Sequence, residues 1–108
     1  MRNENIIPLN LVNTSVGATS LPIQLFFLSV LSVQVVSTGN LAGRIEISVS
    51  NDSLNWAVSN AFPDMNLVVN GTAILNANTE SAFAYIRFVF VRTGGTGNCK
   101  LIFNGKGG

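Results

Sequence analysis

Residues 44–50 alternate without a break: Ile45, Ile47 and Val49 fall on one side, Arg44, Glu46, Ser48 and Ser50 on the other. Successive side chains of a strand point to opposite faces. A period of two therefore predicts a half-buried antiparallel strand, with Ile45, Ile47 and Val49 on a core and the polar set in water. Residues 84–92 repeat the pattern with a difference. Ile86, Phe88 and Phe90 make one face, while Tyr85, Val89 and Val91 surround Arg87 on the other. That second face is too apolar for open water, which predicts that loops or another subunit cover it.

No segment carries apolar residues at helical spacing over three turns. The remaining periodic runs are short. Residues 6–12 predict a strand, placed at a sheet edge by Pro8, which has no N–H for a ladder. Residues 13–20 form a loop of small residues, and 23–28 and 31–38 predict two strands with a bend near Ser29. Residues 39–43 make a compact turn before the strand at 44–50. Asn70-Gly71 separates 67–69 from 72–75 and predicts a type I′ hairpin, because Asn and Gly accept positive φ. Residues 84–92, the glycine-rich turn 93–97 and 98–104 predict a further hairpin. The expectation is an all-β fold: a single-domain antiparallel β-sandwich, jelly-roll-like, of about seven to eight short strands. A chain of 108 residues makes one domain, with 1–5 and 105–108 expected to be flexible.

Only 10% of the residues are charged, against roughly 25% in typical soluble domains. Asn, Ser, Thr and Gly supply the polarity instead, and such a surface lacks the like-charge repulsion that keeps monomers apart. This favours life in an assembly, with a homo-oligomer expected. The six basic residues are scattered and the net charge is +1. No basic stripe is available to neutralise phosphates, so nucleic-acid binding is not expected. The longest apolar stretch, 21–36, is interrupted by Pro22, Gln24, Ser29, Ser32 and Gln34. It falls short of the about 20 apolar residues that span a bilayer, and its position and flanks do not suit a signal peptide. Membrane insertion is not expected.

Catalytic and metal chemistry find little to work with. There is no histidine and a single cysteine, Cys99. This excludes an intrachain disulfide and a cysteine-based zinc site. Cys99 shares a side with Leu101 and Phe103 and is expected as a small buried hydrophobe. Of the acids Glu4, Glu46, Asp52, Asp64 and Glu80, only Asp52 and Asp64 invite a loop cluster or a calcium site, without the dense acidic loop that calcium needs. Asp52 is expected to close an Asx-type turn on its own backbone. Residues 94–97 lack the Lys-Ser/Thr and the helix of a phosphate loop. No enzyme, cofactor or metal is expected. Trp56 is expected as a lid packed over the core. Its alternative is a sugar-stacking or partner-contacting aromatic beside Asn55 and Tyr85.

The run Ser50-Asn51-Asp52-Ser53-Leu54-Asn55-Trp56 resembles the S-N-D-G-x-N-W turn of discoidin-like, galactose-binding-type β-sandwiches. Ala84-Tyr85-Ile86-Arg87 is similar to the A-R-Y-V-R strand that follows it there. Together with residues 33–39 and 92–97, the pattern looks still more like small bacteriophage virion proteins that reuse this sandwich, over about 31–105. Ser53 stands where that turn usually has glycine, and Ala84 where an arginine often precedes the aromatic, so no sugar-binding residue is carried over. The resemblance implies a non-enzymatic structural component of a virion, such as a capsid decoration, spike or tail-associated subunit, with other virion proteins as partners. Tyr85, Arg87, Val89 and Val91 are the candidate partner contacts. The rival expectation is a carbohydrate- or receptor-binding module using Asn55 and Trp56.

Overall fold

A computed structural model describes residues 3–25, 28, 30–58, 62–78 and 84–107. Ten antiparallel strands run through them: β1 (Asn3–Thr14), β2 (Ala18–Thr19), β3 (Ile23–Gln24), β4 (Val30–Gly39), β5 (Ala42–Ser50), β6 (Ala57–Val58), β7 (Met65–Asn66), β8 (Thr72–Asn78), β9 (Tyr85–Gly94) and β10 (Gly97–Lys106). They build two sheets. The first has the order β1-β10-β4-β8; in the second, β9 and β5 are central, with β2 and β3 along one edge and β6 and β7 along the other. Ten strands exceed the expected seven to eight, but taking β2/β3 and β6/β7 as one position each gives four positions per sheet. The molecule is 20 Å through its thinnest axis, the depth of two sheets about 10 Å apart with a layer of side chains outside each.

The alternating residues meet between the sheets. Ile45, Ile47 and Val49 of β5, Ile86, Phe88 and Phe90 of β9, Leu31, Val33 and Val35 of β4, and Cys99, Leu101 and Phe103 of β10 are all buried in one cluster. Phe88 and Phe103 join the two layers, their ring centroids 6.2 Å apart at 54°. Cys99 is fully buried as expected, and burial raises its thiol pKa. Phe62, completely buried from the connection before β7, is the largest core residue that periodicity does not single out.

Two predicted hairpins are crossings between the sheets. Strand β7 pairs with β5, while β8 pairs with β4 in the other layer. The turn between them is centred on Val69-Asn70, closed by Gly71 N–H donating to Val68 O at 3.0 Å. Only Asn70 has positive φ (+49°). This is a type II-like turn and not the I′ turn of a hairpin. Local signals say that the chain reverses; they do not say which layer it re-enters. Likewise β9 and β10 lie in different sheets, joined through Gly95-Thr96. Gly95 has a φ of +74°, and a Cβ there would come 1.9 Å from the carbonyl oxygen of Asn40. The β4–β5 and β9–β10 crossings are thus stacked backbone on backbone, with Asn40 N–H donating to Thr96 O.

Strand β1 is an edge strand, as Pro8 predicts, and its register to β10 shifts between Ile6 and Leu9, where the proline sits. Of the expected strand at 23–28, Ile23 and Gln24 form β3, while residues 26 and 27 and the bend near Ser29 lie outside the described residues. The chain ends are tied more than their composition suggests. Asn3, Glu4 and Asn5 pair with Lys106, Gly105 and Asn104. Gly105 is buried, and a Cβ there would come 2.9 Å from Cδ1 of Leu28. Residues 1, 2 and 108 lie outside the described residues.

Candidate functional site

The turn that follows β5 is held by two short side chains. Ser50 is 5% exposed, so it does not face water as the alternation predicts. Its hydroxyl oxygen accepts the N–H groups of Asp52 and Ser53 (3.1 and 3.0 Å) and donates to Asp52 Oδ1 at 2.8 Å. Asp52 Oδ1 also accepts the N–H groups of Leu54 and Asn55, both at 2.9 Å. Asp52 Oδ2 accepts the amide of Asn55 at 2.7 Å. This is the expected Asx-type closure. The backbone N–H of Asn55, then its side-chain amide, the Leu54 N–H and the Ser50 hydroxyl hold the Asp52 carboxyl far below the ordinary carboxylate range. Ser53, in the glycine position of the resembled turn, takes a φ of +60°, so the turn keeps the backbone shape that glycine would favour.

The closed turn brings the chain back as β6, with Ala57 opposite Val49 and Val58 opposite Ser48. Trp56 therefore arrives at the end of β5, half-buried and outside the core cluster. It is not a lid over the core. Its ring meets the Arg87 guanidinium, 4.5 Å from centroid to Cζ. Arg87 is opposite Ser48 on β5, hence on the outer face of the sheet. An arginine stacked on tryptophan gains about 0.5–1 kcal/mol at exposed sites.

Register places the rest of this outer face. Tyr85 lies between Ser50 and Gln24, Val89 between Glu46 and Thr19, and Val91 opposite Arg44. All four candidate contact residues, Tyr85, Arg87, Val89 and Val91, are half-buried along one row, with the exposed Val58 one strand beyond β5. Arg44 donates through Nε and an Nη to Glu46 Oε2 (3.1 and 2.9 Å) and stands 3.6 Å from Asp64. Asp64 and Asp52 thus have different partners, and the two do not form a shared cluster. Arg87 makes no ion pair among the described residues, and its Nε is buried without a hydrogen-bond partner.

Of the two glycan candidates, Asn55 has its amide bonded to Asp52, and Trp56 has one ring face occupied by Arg87. Sequence reasoning separates Trp56 from Arg87 and passes over Glu46, Ser48 and Val58. Their juxtaposition depends on the β5–β9 and β5–β6 registers, for which the only sequence signal is the shared parity of the two alternating runs.

No protein-family model matches this chain, and no curated protein matches it in sequence. Solved structures do match in fold. The PBSX exported protein XepA superposes with a TM-score of 0.77 at 14% identity, over 97% of this chain and 37% of that one. The SPBc2 prophage-derived protein YomS superposes with a TM-score of 0.64 at 9% identity, over 95% of this chain and 93% of that one. This chain thus spans less than two fifths of XepA and nearly the whole of YomS. At these identities the likeness is one of fold.

Proposed function

We propose that this protein is a non-enzymatic structural subunit of a bacteriophage particle, acting through protein–protein contacts. The observation that carries the proposal is the superposition on two phage-derived proteins, XepA and YomS, over nearly the full chain. The sparse surface charge supports it, since weak repulsion suits a subunit packed among others. The outer face of β9 supplies the contact. Tyr85, Arg87 and Trp56 are of the residue types that dominate interface energetics, and Val89 and Val91 lie in the same row. The galactose-binding likeness rests on the short motifs at Ser50–Trp56 and Ala84–Arg87, and the ties on Asn55 and Trp56 weigh against a glycan site.

The experiment is to purify particles from an induced lysogen that carries this gene and look for the chain by mass spectrometry. Stoichiometric recovery is expected. Its absence from particles, with the protein present in the lysate, would sink the proposal. A glycan array separates the rival: binding abolished by Trp56→Ala with the fold intact would favour a carbohydrate module.

A further inference from the structure

Among the described residues, every sheet edge but one is blunted. Strand β1 holds Pro8, which donates no ladder bond, and its register to β10 shifts there and again before Thr14. The β2/β3 edge is cut into two-residue pieces around Leu21-Pro22, and the β6/β7 edge into two more around a connection that holds Pro63. Short edges, prolines and bulges keep outer strands from pairing with other chains. Strand β8 has none of these. Thr72–Asn78 is an unbroken run of 7 residues without proline, glycine or charge. It pairs with β4 from Val36↔Thr72 to Val30↔Asn78 without a shift, and no described strand lies beyond it. Its N–H and C=O groups on that side are therefore open. The side chains suit burial as well. Ala73 and Leu75 pack on the core yet stay half-covered at this rim, and Ile74, opposite Gln34 on the outer face, is 63% exposed.

We infer that β8 pairs antiparallel with β8 of a second copy of the chain, about a twofold axis perpendicular to the sheet. Only a strand matches a row of N–H and C=O groups at two-residue spacing, which fixes the kind of partner. Three features select a second copy. An antiparallel pair of identical strands is self-complementary, each supplying the donors that the other's acceptors need. An edge without charge meets its own copy without repulsion. With the other edges blunted, the pairing closes at two copies and does not run on into a fibre, so this edge alone is safely left bare. The two four-stranded sheets then become one continuous sheet, with Ala73 and Leu75 of both copies covered at the seam. Centred on Leu75, the pairing uses the whole strand and sets the two Ile74 side chains diagonally across the seam, within reach of long side chains. This pairing does not rest on the virion reading, and its test needs no particle.

The test is sedimentation equilibrium of the purified protein, with amide hydrogen exchange followed in the same solutions. The wild type should dimerise as concentration rises. In the dimer, β8 amides should exchange more slowly, while those of β1, at the opposite edge of the sheet, keep their rates. Ile74→Lys sets like charges across the seam and should weaken dimerisation at least about tenfold, as should Ile74→Glu. Mixed one to one, the two variants should pair again, because opposite charges then face each other. Rescue by mixing is beyond the reach of a folding defect. A wild type that stays monomeric overturns the pairing, and this is the result expected if β8 is kept for a strand of another protein. Normal dimerisation of Ile74→Lys, a mixture no better than its components, or a dimer whose β8 amides exchange as fast as the monomer's would each overturn it too.

Discussion

The Arg87 guanidinium lies 4.5 Å from the ring centroid of Trp56, so one stacked pair ties central strand β9 to the loop entering edge strand β6, across β5. The pair closes one end of the outer face and fixes where the arginine's charge sits. A double-mutant cycle with Arg87→Gln and Trp56→Leu, read by urea unfolding of dilute monomer, should give a coupling of about 0.5–1 kcal/mol. Additive losses would show that the stack contributes nothing.

Ser53 holds a φ of +60° with a side chain attached. Relief of left-handed strain is worth about 1–2 kcal/mol, and the extra freedom of glycine in the unfolded chain takes back about 0.5–1. Ser53→Gly should therefore stabilise by about 0.5–1 kcal/mol, seen as a higher melting temperature. A lower one would contradict the strain argument.

Asp52 is a carboxylate whose folded form is held below its unfolded value of about 3.9 by hydrogen bonds that need the charge. Its contribution is complete above that unfolded value and drains away as pH falls toward the folded one. The melting-temperature gap between wild type and Asp52→Asn should be wide at about pH 6 and shrink as the pH is lowered through the acid range. A gap independent of pH would mean that the loop does not depend on the ionised form.

Gly95 has no space for a side chain, since a Cβ would meet the carbonyl oxygen of Asn40 at 1.9 Å. Gly95→Ala should cost about 3 kcal/mol or more, from positive φ and a backbone clash together. Gly94→Ala is the control: a Cβ there meets nothing within 4 Å. Equal melting temperatures for the two variants would refute the stacked crossing.

Cys99 is fully buried and its thiol pKa is raised by burial. A thiol reagent should label the native protein no faster than the protein opens, and should label it at once in denaturant. Rapid native labelling would place the sulfur elsewhere.

Periodicity tells which residues share a face, and this much was legible in advance: Ile45, Ile47, Val49, Ile86, Phe88 and Phe90 are all in the core. It is blind to which strands are neighbours. Asn70-Gly71 and Gly94-Gly95 mark reversals correctly, yet both lead across the sandwich, because a turn's residues encode its dihedral angles and not the sheet its exit joins. Phe62 was missed for the complementary reason: a single residue in a connection has no period. The candidate site divides the same way. Tyr85, Arg87, Val89 and Val91 share a face by parity alone, whereas the Trp56–Arg87 stack requires three strands in register.

Strand β10 lies between β1 and β4. Until β10 has been synthesised, the first and fourth strands have nothing between them to pair with, and Phe103, Leu101 and Cys99 are missing from the interior. A chain that reaches only as far as β9 therefore lacks the strand that joins β1 to the β4–β8 pair, and that sheet closes only once Gly97–Lys106 is in place. Until then the edges of β1 and β4 that face β10 are open to strands of other chains.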